Sequence, residues 1–160
     1  MTRRATLHRS IVLIVLVAAA ATACTTGSAP RMVGTGDVVA DRQRIMKLQG
    51  ANFADIQEKY KAGNIAGIAV NAEVIAVTAL QIPSLFPEGS LTDKSKGKPE
   101  IWQRWGEFDA SAKNLAIWSE RLRDASRAKD TQAVNEIMKD YGRVACGSCH
   151  TPFRVPPTRS

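Results

Sequence analysis

From Val38 to Ala145, apolar residues recur every three or four positions, and no run of any length alternates apolar with polar residues as a strand would. That spacing restricts the chain to an all-α fold. Four helical segments can be read from it. The first covers Val38 to Lys61, with Ile45, Met46, Phe53, Ile56 and Tyr60 on one stripe, and Gly63 ends it. The second covers Ile65 to Gln81, capped by Asn64 and stopped by Pro83. A loop, "PSLFPEGSLTDKSKGK", follows. The third opens at Pro99, a favourable first-turn residue, and runs to Ala128. Its stripe is Ile101, Trp105, Phe108, Ala112, Leu115, Trp118 or Ser119, Leu122 and Ala125. The fourth starts at Asp130 or Thr131 and carries Val134, Ile137, Met138, Tyr141 and Ala145. Short links join the first segment to the second and the third to the fourth. They make neighbours antiparallel, so the expected architecture is a four-helix bundle over residues 38–155 with one core.

The N-terminus reads differently. Arg3, Arg4 and Arg9 precede an apolar run from Ile11 to Ala21, and small residues follow. The run is shorter than the roughly 20 residues a membrane span needs, and the three-part pattern is that of a secretory signal peptide, residues 1–23. Cys24 stands directly after the expected cut. A small residue followed by cysteine resembles a bacterial lipoprotein signal, although Ala21 occupies the position where a large aliphatic is usual. Cys24 is therefore read either as a lipidated N-terminus or as an ordinary residue of a flexible tether, residues 24–37, rich in small and polar residues. The signal peptide takes three of the 22 Lys/Arg and none of the 15 Asp/Glu, leaving 19 against 15, or +4. That charge is mildly basic and unclustered, which argues against nucleic acid as a partner. The segment also takes His8, so His150 is the one histidine of the mature chain.

Cys146-Gly147-Ser148-Cys149-His150 closes the fourth segment. On a helix, positions i, i+3 and i+4 share a face. Covalent haem attachment uses that arrangement: two thiols join two vinyl groups along one porphyrin edge, and the adjacent imidazole reaches the iron. A thiol oxidoreductase pair fits less well, because such pairs open a helix within a βαβ setting. A structural zinc site needs four ligands, and the mature chain offers too few thiols and imidazoles. A disulfide across two residues would be strained and would leave the histidine without a role. Export agrees with haem c, since bacteria attach it outside the cytoplasmic membrane to an unfolded chain. Arg3-Arg4 is accordingly an ordinary basic leader rather than a signal for export of a folded protein.

Four pieces in order, "RQRIM", "LFPEGS", "KPEIW" and "CGSCHTPFR", give the stretch from Asp37 to Arg154 a resemblance to the class II c-type cytochromes, cytochrome c′ and its low-spin relatives. The resemblance implies an antiparallel four-helix bundle with one haem c near its C-terminus. It implies thioethers at Cys146 and Cys149 and the proximal iron ligand at His150. By the same resemblance Arg154 lies beside that histidine, Arg42 lies near a haem propionate, Met46 sits over the distal face and Phe86 lines the distal pocket. Pro152 departs from the pattern; it lacks a backbone donor and predicts an earlier end to the fourth helix, which bears on where Arg154 falls.

The sixth coordination position divides the functional readings. Met138 lies twelve residues before His150, roughly 18 Å along a helix, and Met32 lies in the tether, so Met46 is the methionine placed to bind. With sulfur bound, the iron is six-coordinate and the protein is an electron shuttle. With Met46 only packed above it, the iron is five-coordinate beneath an apolar face of Met46, Phe53 and Phe86 with no evident hydrogen-bond donor. Such a face suits nitric oxide and carbon monoxide better than dioxygen. No nucleophile has a base beside it, so hydrolase and transferase readings fall away, and an open iron would support at most a minor peroxidase activity. The resemblance implies a periplasmic protein and a homodimer through the first two helices. The second helix is apolar around most of its circumference, with Asn71, Glu73 and Thr78 its polar residues before Gln81. The sequence names no redox protein partner, and a membrane enters only through a lipid at Cys24.

Overall fold

The computed structural model describes residues 36–156. The predicted signal peptide and Cys24 lie outside the described residues. Four helical arms form an antiparallel bundle. They are α1 (Val38–Lys61), α2 (Ile68–Ala79), a third arm of α3 (Glu100–Gln103) and α4 (Trp105–Arg127), and a fourth of α5 (Thr131–Asp140), a π-helical turn (Tyr141–Cys146) and α6 (Gly147–Phe153). Among the described residues, no helix is long and apolar enough to cross a membrane.

The ends of α1 follow from local chemistry. The Asp37 carboxylate accepts from the Val39 and Ala40 amides at 2.9 and 3.2 Å. At the other end Gly63 takes φ +70, and Asn64 and Gly63 amides return to the carbonyls of Lys59 and Tyr60. This is a Schellman motif, whose left-handed residue is most easily glycine. α2 starts later than its periodicity predicts. Ile68 and Ala69 bond three residues back, and Asn64 caps this tight turn through the Gly67 amide at 3.1 Å. It also ends sooner, tightening through Gln81 and Ile82 into a 3₁₀ turn at Pro83–Leu85.

The third arm breaks where continuity was expected. Arg104 leaves helical dihedrals at φ −126, ψ 44. The break turns Trp105 outward, 40% exposed, whereas Ile101, Phe108, Ala112, Leu115, Ser119 and Leu122 are buried as the stripe predicts. Of the pair Trp118 and Ser119, the serine takes the core position, and its hydroxyl meets the buried Tyr141 hydroxyl at 2.6 Å. The core also takes Ile45 and Ile56 from α1, Ile68, Ala72, Ile75 and Ala79 from α2, and Val134 from α5.

Pro152 does not shorten the last helix, which runs to Phe153. Proline cannot serve the carbonyl four residues back, that of Ser148; the Ser111 hydroxyl approaches that oxygen at 3.5 Å instead. Beyond Phe153 the chain is extended and pairs with the loop before α3. Lys98 N donates to Phe153 O at 2.9 Å, Val155 N donates to Lys96 O at 2.8 Å, and Gly97 and Arg154 form a single antiparallel bridge.

Candidate haem-binding site

Between α1, the end of α2 and the last arm lies a slot with two lobes. The outer lobe, about 370 Å³, is lined by Arg42 and Met46 of α1, by Ile82 and Phe86, by residues 94–97, and by Cys149, His150, Phe153 and Arg154. The inner lobe, about 250 Å³, is lined by Met46, Gln49 and Phe53, by Ile75 and Ile82, and by Cys146, Cys149 and His150. Met46, Ile82, Cys149 and His150 line both lobes.

The helix geometry places these groups. Arg42, Met46, Gln49 and Phe53 are spaced four, three and four apart, so one face of α1 walls the slot. The π-helical turn widens the last arm just before the cysteines, a device frequent at functional sites. Its Gly142 lies against the Phe53 ring, where a Cβ would stand 3.6 Å from Phe53 Cζ. Phe53 in turn stacks on Tyr141 at 5.3 Å. Phe108, buried on the stripe of the third arm, meets Phe86 and Phe153 edge-on at 4.9 and 5.5 Å and lines the outer lobe as well.

Cys146 and Cys149 are half-buried on the slot and are not joined to each other. Burial raises the Cys146 thiol above its ordinary value, and burial with the neighbouring Cys146 pushes Cys149 up to about 11. His150 is held below its ordinary value by burial and then by the charge of Arg154, which favours the neutral imidazole that a metal needs. Among the described residues no group of three or more His, Cys, Asp or Glu side chains is placed to hold a metal ion. Two thiols and an imidazole on one apolar slot are the donor set that covalent haem requires, and the residues fit that group.

Arg42 is buried, not solvated. Its Nε donates to Leu85 O at 2.5 Å, Nη1 donates to Ser90 O at 3.0 Å, and Nη2 donates to the Ser90 hydroxyl. The guanidinium lies 4.2 Å from the centre of the Phe86 ring. It fastens the "LFPEGS" loop to α1 while lining the outer lobe. Phe53 and Phe86 both reach the slot but in different lobes, with Met46 common to both. Gln49 also lines the inner lobe, and its amide donates to the Thr78 hydroxyl at 3.4 Å. It continues the Arg42–Met46 stripe, and extending that stripe by one step would have found it.

The cytochrome c′ family profile matches residues 37–154. The chain belongs to the cytochrome c′ family. It is 33% identical over 90 residues to the cytochrome c′ of Pararhodospirillum photometricum, a match covering 56% of this chain and 71% of that protein. Its fold is similar to that of cytochrome c prime from Shewanella frigidimarina, with TM-score 0.68 and 21% identity over 76% of this chain and 96% of the other. It is also similar to a cytochrome c′ described for its ligand-controlled dimer dissociation, with TM-score 0.67 and 26% identity over 74% of this chain and 95% of the other. A nitric oxide complex of a cytochrome c prime variant from Alcaligenes xylosoxidans shares the fold at TM-score 0.66 and 23% identity, over 76% and 96% of the two chains. As a cytochrome c′ family member the chain binds haem c covalently, and Cys146 and Cys149 have the required spacing ahead of His150.

Proposed function

We propose that this cytochrome c′ family member works in the periplasm, carrying single electrons and binding small gases such as nitric oxide and carbon monoxide. Cys146 and Cys149 would hold the haem through thioethers to its two vinyl groups, and His150 would offer its imidazole to the iron. Bound in this way, haem supplies an iron that gains and loses one electron and offers an axial position to small ligands. Met46, Phe53 and Phe86 give the slot apolar walls, and Arg42 and Arg154 would offer positive charge to the haem propionates. The observation that carries the reading is that Met46 and His150, from opposite ends of the chain, line both lobes of one slot. Absorption spectra of the ferric and ferrous holoprotein test it. A high-spin spectrum that shifts with carbon monoxide or nitric oxide supports an open iron.

A second reading rests on the same placement. Met46 lines the slot and Met138 does not, so the Met46 sulfur is the thioether within reach of a bound iron. A weak band near roughly 695 nm with no carbon monoxide shift would assign the protein as a six-coordinate electron carrier.

The protein forms a homodimer through α2. Val70 and Val77 on this apolar helix and Leu80 just after it are 70%, 53% and 57% exposed. The similar cytochrome c′ with ligand-controlled dimer dissociation is a precedent for such an assembly.

A further inference from the structure

The mouth of the outer lobe carries five basic side chains, Arg42, Lys47, Lys94, Lys96 and Arg154, and no carboxylate lines it. Among the described residues, nine other basic residues are ion-paired. Among the described residues none of Lys47, Lys94, Lys96 and Arg154 has an ion pair, and all four are exposed. The rim is also fixed in place. Lys96 and Lys98 are tied by their backbones to Val155 and Phe153, and the Lys94 carbonyl accepts from Gln43 at 3.4 Å. Two propionates would balance two of the five charges and leave a surplus of three. Arg42, moreover, spends three of its donors on Leu85 and Ser90.

We infer that this rim is a docking surface for an electron-carrier protein that presents a cluster of carboxylates. The inference rests on the electron-carrying part of the proposed function. A haem held in this slot would exchange electrons with a partner most readily through the lobe open to solvent, which these cations line. Unpaired cations around a lobe that no carboxylate lines would steer an acidic partner to it and hold it there.

The test uses ferrous holoprotein oxidised by two small reagents of opposite charge, ferricyanide and tris(phenanthroline)cobalt(III), between about 10 and 300 mM salt. The ferricyanide rate should fall at least about fivefold as screening shortens to a few ångströms, and the cobalt rate should rise. Lys94→Glu/Lys96→Glu should lower the ferricyanide rate several-fold. Arg121→Glu/Lys129→Glu, an equal charge change at exposed positions that do not line the lobe, should not. Poly-L-glutamate should slow ferricyanide oxidation and shift the NMR resonances of residues 94–98 in the unsubstituted protein but not in the Lys94/Lys96 variant. Equal, salt-independent rates for both reagents would overturn the docking surface and leave the electron-carrier reading standing. No reaction with either reagent would overturn both. Binding of phosphatidylglycerol vesicles at this rim without competition by poly-L-glutamate would assign the surface to membrane instead and overturn the protein partner.

Discussion

The hydroxyls of Tyr141 and Ser119 meet at 2.6 Å in the fully buried centre of the bundle, tying the π-helical turn to α4. Ser119 already donates to the Leu115 carbonyl at 2.7 Å, so Tyr141 is the donor of the pair. Tyr141→Phe keeps the ring stack on Phe53 and removes one buried hydrogen bond, a loss of about 1 kcal/mol. Burial raises the Tyr141 phenol above its ordinary value, with the Ser119 hydrogen bond acting the other way. A group raised in the folded state contributes stability that is complete below its unfolded value, about 10, and is lost as pH climbs above it. Denaturant titrations from pH 8 to 11 should therefore show unsubstituted stability falling above about pH 10, and Tyr141→Phe losing less over the same range.

Gly97 sits where three side chains converge. A Cβ there would stand 3.0 Å from Ile101 Cδ1 and 3.2 Å from both Leu91 Cδ2 and Phe86 Cε1. Gly97→Ala should destabilise by roughly 1–3 kcal/mol through overpacking. Amide exchange should quicken at Lys98 and Val155, whose bonds flank the glycine, before it quickens in α1.

In the proposed function, Met46 governs access to the iron. With an open iron, Met46→Ala should speed carbon monoxide binding and tighten it by about tenfold, equivalent to about 1.4 kcal/mol. Stopped-flow mixing with the ferrous holoprotein measures both. Conversion of a low-spin spectrum to a high-spin one in this variant would instead show that sulfur was bound.

On α2, Val70→Glu with Val77→Glu should turn a dimer into a monomer of half the sedimentation mass, because a buried unpaired carboxylate is strongly disfavoured. Both residues point away from the core, so the melting temperature at low protein concentration should change little. Unchanged mass would remove α2 from the interface.

Helix positions were readable wherever neighbours in sequence determine them. α1 ends where its capping aspartate and left-handed glycine put it. The break at Arg104 and the π-helical turn were not readable, since each depends on distant groups. Trp102 donates to Phe86 O at 3.0 Å beside the first, and Phe53 and Ser119 hold the second. Cys146, Cys149 and His150 stand out by spacing alone. Arg42 was readable as a position but not as a tether, because Ser90 lies 48 residues away. The cationic rim escaped notice because its members come from α1, a loop and the segment after α6.

Phe153 and Val155 hold residues 96–98, yet a ribosome makes them more than fifty residues later. The loop over the slot consequently has no latch until the cysteines themselves have been made. In a chain passed across a membrane N-terminus first, the two thiols would arrive before Phe153 and Val155. The backbone bonds that finish the fold can therefore close only after the residues of the proposed haem attachment have been made.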